Sequence, residues 1–138
     1  MGRIDKAIAI LERTDKNFQD TAFLLGCCYY TKPSYAKAEE YFGRAYQKNQ
    51  NNPIYVYNYA QALLNVRKYQ EAYALFDLLT GLAGTKYPYA ALHRTKCLYE
   101  LGQKDGARDA LKKLLANKQM PKEVINDARL LEREFRLS

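Results

Sequence analysis

One spacing of small and bulky apolar residues returns along this chain and restricts what it can fold into. Residues 35–45 read YAKAEEYFGRA, residues 69–79 read YQEAYALFDLL, and KDGARDALKKL at 104–114 begins in the same phase. Each stretch has alanine fourth (Ala38, Ala72, Ala107) and a bulky apolar residue eighth (Phe42, Phe76, Leu111), at intervals of 34 and then 35 positions. A unit of that length is one supersecondary element that cannot bury its own apolar face, so it must stack on its neighbours.

Apolar residues recur throughout at three to four positions, the helical period, and no window alternates at two. The pattern predicts a helix from Phe18 to about Thr31, with Ala22, Leu25, Gly26 and Tyr29 on one stripe. Pro33 and Ser34 interrupt it, and Ser34 is the expected N-cap of a second helix running to about Lys48. Asn52-Pro53 reads as a cap followed by a first-turn proline, where the missing N–H costs nothing. Pro88 and Pro121 punctuate in the same way and mark off units of 35 and 33 residues.

The spacing resembles the tetratricopeptide repeat, a helix–turn–helix with small residues where its two helices touch. The matching residues are Leu25, Gly26, Tyr29, Tyr35, Ala38, Phe42 and Ala45, then Tyr59, Ala60, Leu63, Tyr69, Ala72, Phe76 and Leu79. A third set is Arg94, Thr95, Leu98, Lys104, Ala107, Leu111 and Leu114, with Leu101-Gly102 in the turn. It departs from the pattern at Arg94 and Lys104. Pro33 stands in the first turn where glycine is usual, and the chain has no tryptophan. The resemblance implies an all-α fold, a right-handed superhelical α-solenoid of antiparallel helix pairs in a single domain. Its parts would be a half-repeat helix (3–15), three repeats (19–52, 53–87 and 88–120) and a C-terminal capping helix (121–138).

Composition narrows the function. With 48% apolar and 27% charged residues in 138, the chain is expected to fold around one core. No apolar run reaches the roughly 18–20 residues of a membrane span. The start, MGRIDKAIAILERTDKN, lacks a signal-peptide core, which leads us to expect a cytoplasmic protein with no membrane association. Three cysteines, two of them adjacent at Cys27 and Cys28, do not make a disulfide framework. Catalysis has little to work with: one histidine, two serines (Ser34 and Ser138) and no glycine-rich phosphate loop. His93 and Cys97, four apart on one helical face, would need two further ligands to hold a metal. We therefore expect no enzyme activity, no metal and no cofactor.

In the family resembled, ligands are held by the first helices of successive units, which line a concave groove. Carried onto this chain, those positions include Phe23, Tyr30, Ile54, Tyr57, Asn58, Gln61, Leu64, Tyr89, Leu92, His93, Lys96 and Tyr99. The set is rich in aromatic and aliphatic groups, suited to a protein or peptide segment with apolar anchors, although some of these rings are expected to belong to the core. The carboxylate clamp of heat-shock co-chaperones is not reproduced: its positions hold Phe23, Cys27, Asn58, Tyr89 and His93, of which only Asn58 agrees. The expected role is a scaffold or adaptor. The alternatives are a tetratricopeptide-type chaperone of a bacterial secretion system, or an RNA-binding helical repeat motivated by the net charge of +7. Few cations fall in the groove, which disfavours nucleic acid. RIDKAIAILER at the start resembles a second helix without its first, and its Ile4, Ile8 and Leu11 stripe raises the expectation of self-association or stacking there.

Overall fold

The computed structural model describes residues 2–15, 19–83 and 86–137; Phe18 and Ser138 lie outside them. The helices are α1 (Gly2–Arg13), α2 (Gln19–Thr31), α3 (Tyr35–Lys48), α4 (Pro53–Asn65), α5 (Tyr69–Ala83), α6 (Pro88–Glu100), α7 (Lys104–Ala116) and α8 (Lys122–Leu137). No strand occurs among the described residues.

Local chemistry accounts for most of these limits. The Asn52 side chain accepts from the Ile54 N–H at 3.0 Å and Pro53 opens α4, as the sequence predicts. Pro88 likewise opens α6, whereas Pro121 stands just ahead of α8, its carbonyl accepting from the Ile125 N–H at 3.1 Å. Ser34 does occupy the cap position of α3, but its hydroxyl makes no cap bond. With φ −103° and ψ 78° it contributes only its carbonyl, to the Ala38 N–H at 3.0 Å. The turns after α4 and α6 each need a left-handed residue. Gly102 supplies one at φ 85°, and Arg67 adopts φ 65°.

The chain divides into two compact units, Met1–Lys68 and Tyr69–Ser138, the division falling between α4 and α5. In the first, α2 packs on α3, α3 on α4 and α1 on α2. Leu25, Tyr29, Ala38, Tyr41, Phe42 and Ala62 form its main cluster, and Ala22, Ala45 and Tyr55 a second. Gly26 lets α2 close on α3: a Cβ there would sit 2.5 Å from the Phe42 ring. The stripe of α1 is rotated from the one expected. Ile8 and Leu11 pack inward against the main cluster, and the exposed aliphatic side chain is Ile10, at 66%.

In the second unit α5 packs on α6, α6 on α7, and α8 on both α7 and α6. Leu92, Ala107, Leu111 and Leu114 share a core with Val124, Ala128, Leu131 and Phe135 of α8. Val124, Ala128, Leu131 and Phe135 therefore form a capping face. The departures of the third set find partners in this unit. Arg94 reaches Asp77 at 2.9 Å and the Thr80 hydroxyl at 3.3 Å, and the Lys104 ammonium lies 5.5 Å from the Tyr99 ring centre. Thr95, 1% exposed, donates to the Ala91 carbonyl at 2.9 Å and so satisfies its buried hydroxyl within α6.

Candidate functional site

The expected ligand positions fall on α2 and α4 in the first unit and on α6 in the second, and the two groups differ in character. In the first unit ring contacts and hydrogen bonds join α2 to α4. The Tyr55 hydroxyl donates to Asp20 at 3.1 Å, and the Phe23 and Tyr55 rings lie 5.0 Å apart. At the far end the Asn65 amide donates to the Tyr30 hydroxyl at 2.8 Å and to the Gln61 carbonyl at 2.9 Å. Tyr30 also meets Tyr35 edge-on at 5.0 Å. Burial raises the Tyr30 pKa, and the bond from Asn65 opposes that shift, so the phenol stays neutral.

Phe23, Tyr30, Tyr57, Gln61 and Leu64 are half-buried and Ile54 is 49% exposed. Asn58 turns its amide back onto the Ile54 carbonyl at 2.8 Å. The α2–α4 face thus keeps apolar surface exposed while hydrogen bonds hold Tyr30, Asn58 and Asn65 in place. Preorganisation of this kind lowers the entropic cost of binding.

The α6 group lies under the C-terminal helix. Leu92 is 7% exposed within the core shared with α8, and the Tyr99 ring stacks on Phe135 at 4.0 Å and 8°. His93 lies 5.3 Å from the Phe76 ring and 6.0 Å from Tyr89. Burial first, then the neighbouring Asp127 carboxylate, raises the Tyr89 pKa. Only Lys96 of the five expected α6 residues is exposed. Between α6 and α8 a cavity of about 230 Å³ is lined by Leu92, His93, Lys96, Asp127, Leu130, Leu131 and Glu134. The α8 residues in that wall were not among the expected ligand positions. Their spacing at 127, 130/131 and 134 is visible in the sequence as one helical side, but nothing in it says which helix that side meets.

Burial shifts the histidine and the three cysteines toward their neutral forms. His93 is pushed down to about 4 by burial and then by the Lys96 charge, Asp127 pulling the other way. Burial pushes the Cys97 thiol up to about 12, with Lys96 lowering it and Glu100 raising it. Burial also raises Cys27 and Cys28. Neutral thiols are poor nucleophiles and poor metal ligands. Among the described residues no cluster of three or more His, Cys, Asp or Glu side chains is placed to hold a metal. Nor is any helix long and apolar enough to cross a membrane.

The His93 shift predicts a pH dependence. The unfolded histidine protonates near 6.5 and the folded one only near 4, so between those values the unfolded chain holds more protons. The stabilisation from the neutral ring is complete above pH 6.5 and disappears as pH falls toward 4. By pH 5 the loss is about 2 kcal/mol. Urea unfolding at pH 7 and pH 5 should show it, and His93→Gln should flatten that part of the profile.

Comparisons with known proteins agree with this architecture. Residues 1–78 and 31–114 match the family described as "Anaphase-promoting complex, cyclosome, subunit 3". Among solved structures the chain is similar to the OM64 TPR domain of Arabidopsis, at 20% identity over 88% of this chain and 96% of that one, with a TM-score of 0.71. It is also similar to the type III secretion translocator chaperone SycD of Yersinia enterocolitica, at 18% identity over 94% and 91%, TM-score 0.72. The first TPR of Spaghetti (RPAP3), bound to the HSP90 peptide SRMEEVD, aligns at 19% identity over 89% and 99%, TM-score 0.66. No curated protein matches in sequence.

Proposed function

The chain belongs to the tetratricopeptide-type family of anaphase-promoting complex, cyclosome, subunit 3, and from that premise we propose a non-enzymatic protein-binding module that takes a partner segment with apolar anchors on its first helices. The observation that carries the proposal is the α2–α4 face. There Phe23, Tyr30, Tyr57 and Leu64 stay half-buried and Ile54 largely exposed, around a tyrosine already fixed by Asn65. Tyrosine and phenylalanine give large contact area with few torsions to freeze, which is why such rings recur at the centres of interfaces.

The peptide-bound Spaghetti domain supports peptide binding by this architecture. The ligand class must differ from an acidic tail, since Phe23, Cys27, Tyr89 and His93 replace clamp cations and amides. A chaperone role has the support of the similarity to SycD and would use the same face. RNA binding has less behind it, because Lys96 is the only lysine or arginine at the twelve expected positions. Shallow salt dependence of ligand affinity fits the apolar reading, and a steep one fits RNA.

The test starts from peptides selected against the chain in a random display library. Tyr57→Ala and Leu64→Ala should each weaken such a peptide about tenfold or more, with the far-ultraviolet helical signal unchanged. Affinity unmoved by both substitutions removes the α2–α4 face from the proposal.

A further inference from the structure

The second unit holds a cavity in which none of the expected ligand positions takes part. α6 packs on both α5 and α7, and the three helices border a space of about 360 Å³, within the roughly 300–1,000 Å³ of ligand pockets. Small and aliphatic residues leave that room. Ala91 and Leu98 of α6 line it together with Ala110 and Leu114 of α7. At its Gly106 border an added Cβ would meet nothing within 4 Å. Tyr73 of α5 adds a half-buried ring.

The polar groups at this cavity sort into matched and unmatched ones. Thr95 gives its hydroxyl to the Ala91 carbonyl, and the Arg94 charge is met by Asp77 at 2.9 Å. Asp109 and Lys113 are not met. They stand one helical turn apart, a spacing that favours pairing, yet both are exposed and carry no ion pair among the described residues. Asn117 follows one turn on. Its side-chain oxygen accepts from the Gln119 N–H at 2.9 Å, which leaves its amide to donate. The neighbouring Arg108 and Lys112 line a different cavity, with Leu111 of α7 and Phe135 of α8. Along this side of α7 the charge therefore changes from negative at Asp109 to positive at Lys113 over about 6 Å.

An extended peptide matches that interval, because its residues i and i+2 point to one side about 6.6 Å apart while i+1 points to the other. A free amino acid carries both charges on one carbon and cannot span the turn. We propose that this cavity takes an extended segment of a partner protein that reads basic, apolar, acidic, in that order or reversed. The basic side chain meets Asp109, the acidic one meets Lys113 and Asn117, and the apolar one enters among Ala91, Leu98 and Tyr73. The site lies within the second unit and the α2–α4 face within the first, so the two readings fail separately. The probes are labelled, end-capped peptides of about six residues with Lys-Leu-Glu at the centre of Ser/Gly flanks, and the same peptides carrying Lys-Leu-Lys or Glu-Leu-Glu. Anisotropy at low salt should favour the mixed peptide over each control by about tenfold. Lys113→Glu should make Lys-Leu-Lys the best ligand, and Asp109→Lys should do the same for Glu-Leu-Glu. Gly106→Leu puts a side chain into the cavity and should weaken the mixed peptide by about tenfold or more. All three positions are exposed, so the thermal midpoint should hold. Tyr57→Ala should leave this binding unchanged. Equal affinity for the three peptides overturns the proposal, as does no saturable binding at roughly millimolar peptide. Binding that is lost with Tyr57→Ala but unmoved by Lys113→Glu and Asp109→Lys also overturns it.

Discussion

Gly26→Ala is expected to destabilise the first unit by about 2–3 kcal/mol, although alanine is the better helix former. In an open helix position the exchange is worth about 1 kcal/mol in the other direction. What reverses the sign is distance: the new Cβ would lie 2.5 Å from Cδ1 and 2.6 Å from Cε1 of Phe42. That ring cannot give way, being 1% exposed with Phe23 and Tyr30 at centroid distances of 5.7 and 6.4 Å. Gly81 in α5 and Gly106 in α7 serve as internal controls. A Cβ at either meets nothing within 4 Å, and alanine there should be neutral or stabilising. The contact itself is tested by a double-mutant cycle. Phe42→Leu alone leaves a void, but combined with Gly26→Ala it removes the clash, so the pair should fall short of additivity by at least about 1 kcal/mol. Additive losses would mean that α2 and α3 do not meet at this point.

That contact was legible in the sequence because it is periodic. Gly26, Ala38 and Phe42 stand where the repeat needs a gap, a gap and a filler, and packing density leaves little freedom in how they meet. The Asn52-Pro53 cap was legible for a local reason, since it needs only its own turn. What the sequence did not disclose involves choices between equivalent local options. Ser34 has the right chemistry for a cap, yet the backbone at ψ 78° keeps its hydroxyl from the α3 amides. On α1 the apolar side spans Ile4, Ala7, Ile8, Ile10 and Leu11, and only the angle at which α2 meets it selects Ile8 and Leu11 for the core. Arg94 looked like a break in the pattern because its partners Asp77 and Thr80 sit on α5, 17 and 14 positions away. The candidate site divides along the same line. Tyr30, Ile54, Tyr57 and Leu64 keep accessible surface, whereas Leu92 and Tyr99 are covered by a helix whose destination no local pattern encodes.

That covering helix leads to the second large effect. Phe135→Ala is expected to cost about 3–5 kcal/mol, more than any other single truncation in α8. The ring is 3% exposed and stacked on Tyr99 at 4.0 Å, so its loss removes both buried area and an aromatic pair. Leu131→Ala, at 8% exposure in the same core, should cost about 2–3 kcal/mol. Tyr99→Phe keeps the stack and removes a buried hydroxyl that has no hydrogen-bond partner among the described residues, so it should hold or raise stability, which separates the ring from the hydroxyl. The consequence reaches the binding surface. As α8 loosens, Leu92 and Tyr99 become accessible on α6, and the variant should bind a hydrophobic dye such as ANS more strongly below its unfolding midpoint. Unfolding that remains cooperative with no gain in dye binding would show that the second unit loses α8 only when it loses everything. In that case the capping helix is part of the α6–α7 core and does not act as a lid over ligand positions.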